Sequence, residues 1–218
     1  MQVPAPLLVR TTLWCQALPA LALLTRRNRS TPVRWVAAAA LVALAGELLG
    51  RLVAARTGNG HWVSTVADPA TFTLCLIALV GWQVTQLERT VVRIAIFGLL
   101  VAYALLIAFV EKLPTLGHVG SPMYAFALLL GAAWTLGRRI RTGPPTRTVA
   151  NDFTWILGAL VLYGATVLVT LPLGAALYGA DRIDQFTQVW EVRAVLLDLV
   201  FLAITVGTLC PPAPVAEA

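Results

Sequence analysis

Charge is what this sequence has least of. Only 12% of its 218 residues are Asp, Glu, Lys or Arg, against about 25% in a typical soluble domain. That leaves too little polar surface to cover a globule in water, which argues against a soluble domain. Lysine is nearly missing: Lys112 stands against fifteen arginines. No apolar segment holds a lysine, so a retinal Schiff base within the spans is excluded; the cofactor is otherwise unassigned. Three cysteines, Cys15, Cys75 and Cys210, sit in or beside apolar runs with no CxxC pair. That pattern argues against a disulfide framework and fits small packing residues. HExxH, GxSxG, a Walker A loop and a dinucleotide glycine motif are all absent, so the catalytic residues are unknown and an enzyme is disfavoured.

Apolar length is what the chain does have. It is 59% hydrophobic, with a mean hydropathy of +0.81. Long apolar segments run over roughly 5–24, 34–54, 69–87, 91–110, 121–137, 153–178 and 189–209. A helix of about 20 residues crosses a hydrocarbon core of about 30 Å. The pattern predicts an all-α polytopic membrane protein, one domain over 1–218 forming a bundle of seven transmembrane helices. The first segment reads as a retained helix, because it lacks a charged start and a small-residue cleavage site. Gly46, Gly131, Ala132, Ala133, Gly158 and Gly164 are the expected close-packing positions.

The gaps set the expected topology. Arg26, Arg27, Arg29, Arg34, Arg89, Arg93, Arg138, Arg139, Arg141 and Arg147 fall on one side. Arg10, Arg51, Arg56, Lys112, Arg182 and Arg193 fall on the other. The positive-inside rule puts the larger group in the cytoplasm, with the N-terminus outside and the C-terminus inside. Basic residues spent on topology do not form a nucleic-acid patch, so no nucleic-acid partner is expected. Asp68-Pro69, Ser121-Pro122 and Asn151-Asp152 read as starts of segments 3, 5 and 6. Pro19 and Pro172 predict bends in segments 1 and 6. Trp14, Trp35, Trp62, Trp82, Trp134, Trp155 and Trp190 fall mostly near segment ends, as an interfacial belt would.

An ionisable group at a span centre costs about 2.5–3.5 kcal/mol on insertion scales. Glu47 and Asp198 are therefore the leading ligand or proton-site candidates. Arg51 stands four residues after Glu47, the spacing of a helical ion pair. Asp198 has no partner at that spacing. Glu111 and Glu191 share the outer side with the histidines His61 and His118, which are weak metal candidates without a ligand motif. Tyr103, Tyr124, Tyr163 and Gln83 are expected to bond between helices.

Four features carry a family resemblance: Glu47; the stretch GHWVSTVADP at 60–69; DFTWILGALVLYG at 152–164; and the final span from Val189 to Cys210. Together they resemble a functionally unassigned group of small bacterial multi-span membrane proteins with six to seven helices. Asp198 departs from the asparagines common in that group's last span. The resemblance implies a membrane protein found beside signalling genes, and no activity. A bacterial source also fits the scarcity of lysine amid abundant Ala, Gly, Val and Leu, which places the chain in a bacterial inner membrane.

Three functions compete at this stage. Minimal loops favour a non-enzymatic module, an accessory subunit of a larger complex or a sensor acting through a protein partner in the membrane. A small-solute or proton carrier would use Glu47 and Asp198 in a common cavity. An intramembrane lipid-modifying enzyme would use the same carboxylates or the histidines.

Overall fold

A backbone surrounded by hydrocarbon must satisfy its own N–H and C=O groups, and apolar runs of this length do so as helices. The computed structural model describes residues 7–25, 30–110, 119–142 and 151–211. These form seven α-helices: α1 (Leu7–Leu24), α2 (Thr31–Thr57), α3 (His61–Trp82), α4 (Gln86–Phe109), α5 (Gly120–Thr142), α6 (Asp152–Gly179) and α7 (Ile183–Leu209). Among the described residues, α2, α3, α4, α6 and α7 are long and apolar enough to cross a membrane. The apolar stretch of α1 is shorter, Thr11–Leu24, and α5 carries Arg138, Arg139 and Arg141 near its end.

The helices close into a ring in the order α1, α2, α3, α5, α6, α7, with α4 packed outside on α3 and α5. Phe72, Leu79, Tyr124, Leu128, Ile156, Leu157, Leu160 and Val200 fill the interior. The outer face is apolar as well: Phe97 is 69% and Phe109 82% exposed on α4. Such a surface suits lipid tails rather than water.

The end holding the α3–α4 connection is sealed by polar side chains. Gln83 Nε2 donates to Thr135 Oγ1 at 2.7 Å and to the Leu79 carbonyl at 3.1 Å. Arg139 Nε donates to the Trp82 carbonyl at 2.8 Å, and Arg138 pairs with Glu88 at 2.9 Å.

Several expected boundaries move. Segment 3 starts at His61 rather than at Asp68-Pro69, and Pro69 lies inside α3. Proline has no N–H for the carbonyl one turn back. That carbonyl belongs to Thr65, and the Tyr103 hydroxyl donates to it at 2.5 Å. Segment 3 also ends earlier, at Trp82, because the sequence TQLE at 85–88 forms a capping box for α4. There the Thr85 hydroxyl accepts from Glu88 N–H while Glu88 accepts from Thr85 N–H. Ser121 is no cap either: α5 starts at Gly120 and the Ser121 hydroxyl turns to Asp68. Asn151 holds the N-cap position of α6 without a side-chain bond. Asp152 instead accepts from Phe153 N–H at 2.8 Å and from the Ser30 hydroxyl at 3.3 Å.

Small residues act as expected at Gly46 against Ala67, Gly131 against Leu79 and Gly164 against the α5 backbone, and at the buried Ala132. Gly158 meets nothing within 4 Å and Ala133 is exposed, so these two pack no helix pair. Trp82 is buried at the sealed end and Trp190 points inward, which removes both from the interfacial belt.

Candidate functional site

At the end opposite the sealed one, the helices splay around a cavity of about 420 Å³. Its walls are α2 from Ala43 to Ala54, the first two turns of α3, the middle of α1 around Gln16, Tyr163 and Leu171 of α6, and α7 from Trp190 to Phe201. The floor of the α2–α3 turn is tight: Gly58 adopts a φ of 77°, a left-handed value that favours glycine.

Four charged side chains line this space: Glu47, Arg51, Asp68 and Arg193. On α2, Glu47 and Arg51 lie one turn apart on the same face. Arg51 donates from Nε at 3.0 Å and approaches the same oxygen through a second nitrogen at 2.9 Å. The pair is partly open to solvent, with the two side chains 36% and 47% exposed.

Asp68 comes from α3, one residue before Pro69. Gly60, Ser64 and Asp68 recur every four residues, so the helix presents all three to the cavity. On its far side Asp68 Oδ2 accepts from the Ser121 hydroxyl at 3.1 Å. Arg193 and Glu47 both lie close enough to act on the Asp68 charge.

Arg193 comes from α7 and is steered by an aromatic ladder. Its guanidinium stands over the Trp190 ring, 5.1 Å from the centroid, a cation–π contact. Trp190 stacks on Phe186 at 4.5 Å, and Phe186 meets Tyr178 of α6 at 5.6 Å. Gly174 of α6 makes room for the Trp190 ring, which a Cβ there would strike. Arg193 Nε is buried and has no hydrogen-bond partner.

Neutral polar groups complete the lining. Gln16 of α1 is 6% exposed, and its Oε1 is buried without a partner. Tyr163 of α6 lines the cavity and is held by stacking on Phe72 at 5.2 Å. Asn59 and Ser64 lie nearer the mouth.

The structure brings Glu47 and Arg51 to this cavity and leaves Asp198 out of its lining. Asp198 lies on the seam between α1 and α7, where the Thr11 hydroxyl donates to Oδ2 at 2.8 Å. Its Oδ1 is buried without a partner, and the Cys15 thiol is a neighbour. The half-buried Glu191 is on α7 outside the cavity lining. His61 opens α3, while Glu111 and His118 lie outside the described residues. Among the described residues no cluster of three His, Cys, Asp or Glu side chains forms a metal site.

Sequence reasoning missed Asp68, which reads as a cap when the helix is started at Pro69. The four-residue recurrence of Gly60, Ser64 and Asp68 was the available signal. It also passed over Arg193, whose role depends on Trp190 and on the α6 face behind it. The fold and the site define an all-helical protein with membrane-compatible helices and a charged cavity at one end. Comparison with protein-family models, curated proteins and solved structures gives no match.

Proposed function

We propose that this chain is a carrier for a small polar solute, a seven-span protein of a bacterial inner membrane with its N-terminus outside. One observation carries the reading: two carboxylates and two guanidiniums surround a cavity inside a bundle of apolar helices. Charges on membrane-spanning helices are expensive and are retained where they meet water, a partner or a solute. A cavity of about 420 Å³ falls in the range of small-molecule sites, about 300–1,000 Å³. The position of the cavity supports transport: it lies at one end, and the polar seal at the other closes a through path. Pro69 and Pro172 lie inside α3 and α6 beside the cavity, and each removes one N–H from the helical ladder, which favours a bend where alternating access would need one.

The test is solute flux into proteoliposomes containing the purified full-length chain, run with amino acids, sugars, carboxylates and amines. Uptake that is lost in Asp68→Asn supports a carrier. Saturable binding without uptake favours the second reading, a solute sensor acting through a partner chain. Native extraction and mass spectrometry of co-purifying proteins then identify that partner.

A further inference from the structure

The charges of the cavity are balanced but not all paired. Glu47 and Arg51 neutralise each other across one helical turn. The other two, Asp68 and Arg193, line the same cavity, yet among the described residues Arg193 forms no ion pair. Each is held back by its own support: Asp68 by Ser121 from α5, Arg193 by the Trp190 ring. The two buried lining atoms without partners are one donor and one acceptor, Arg193 Nε and Gln16 Oε1. A buried group left in this state costs free energy that a ligand recovers by completing the bond.

A net anion or net cation would leave one uncompensated charge in this low-dielectric space. A molecule carrying both charges compensates both. We infer that the cavity recognises a zwitterion of amino-acid size, with its anionic group on Arg193 and its ammonium group held by Asp68 and Gln16. This rests on the reading of the cavity as a solute site. The guanidinium fork suits a carboxylate or a phosphate. Asp68 and the Gln16 carbonyl oxygen both accept, as N–H donors of an ammonium require.

Two sources carry that chemistry, a free amino acid and a phosphoethanolamine headgroup. The experiment uses the full-length protein in nanodiscs of phosphatidylcholine and phosphatidylglycerol, which carry no primary ammonium. Binding is followed by calorimetry and by tryptophan fluorescence, to which Trp190 contributes. The probes are alanine, ω-amino carboxylates of increasing length and glycerophosphoethanolamine. Butylamine and butyrate serve as half-molecules, and glucose, succinate and putrescine as other classes.

At least one zwitterion is expected to bind about tenfold or more tightly than either half-molecule. Preference for an amino carboxylate assigns the site to a free solute, and preference for glycerophosphoethanolamine assigns it to a headgroup. In Asp68→Asn the advantage of zwitterion over butyrate collapses, and in Arg193→Gln the advantage over butylamine collapses. A variant that merely loosened the fold would weaken all probes together. If either variant fails to fold, the discrimination by the unmodified protein decides alone. Equal affinity for zwitterion and half-molecule overturns the inference, as does preference for glucose, succinate or putrescine, although the solute-site reading then stands. Binding of no probe by protein with its normal thermal transition overturns both.

Discussion

Asp68 shows how much one side chain depends on its helix. Read as a cap it is a solvated surface residue; two turns inside a helix it faces a cavity and draws a hydroxyl from α5. Glu47, by contrast, was legible from the four-residue spacing to Arg51. Because that pair is partly exposed, Glu47→Gln is expected to cost only about 0.3–0.5 kcal/mol of stability, the usual value for such helical pairs. Thermal unfolding in detergent checks this, and a drop in solute affinity without a matching drop in Tm marks the role in the cavity. Asp198 lies on the α1–α7 seam, away from the lining. Asp198→Asn should therefore leave solute affinity within about twofold, as expected for independent sites. A loss as large as that of Asp68→Asn would show that the two carboxylates act together.

At the scale of the element, α3 is a helix that keeps a proline by borrowing a donor. The Tyr103 hydroxyl serves the Thr65 carbonyl that Pro69 leaves without its helical N–H. Tyr103→Phe removes that hydrogen bond, at an expected cost of about 1 kcal/mol. In a Pro69→Ala background the backbone N–H returns, so the same substitution should cost less. A double-mutant cycle in chemical unfolding measures the difference, and an unchanged cost would sever the link. The start of α4 was legible and was missed: TQLE at 85–88 is a capping-box pattern. Thr85→Ala is expected to cost about 1 kcal/mol, read as a lower Tm. The end of α3 was harder to find, because Val84 and Leu87 extend the apolar pattern past Gln83.

Across the whole molecule, Arg138, Arg139 and Arg141 of α5 stand at the sealed end and the cavity at the other. On the proposed topology, with the N-terminus outside, the positive-inside rule faces the cavity outward. In a background with Cys15, Cys75 and Cys210 replaced, Asn59→Cys should react with a membrane-impermeant maleimide in intact cells, and Arg141→Cys only after lysis. The reverse pattern would invert the topology. Bound solute should also protect Asn59→Cys, because Asn59 lines the cavity.

Apolar length and arginine placement, read along the chain, were enough for the class of protein, the number of helices and the Glu47–Arg51 pair. These are one-dimensional properties: hydrocarbon demands a helix of a certain length, and an ion pair at i and i+4 stays within one turn. The seam that holds Asp198 and the cavity that joins Gln16, Glu47, Asp68, Tyr163 and Arg193 come from five different helices or their junctions. Only the tertiary structure decided them, because which faces meet depends on ring order, on Gly174 admitting the Trp190 ring, and on α3 continuing through its proline.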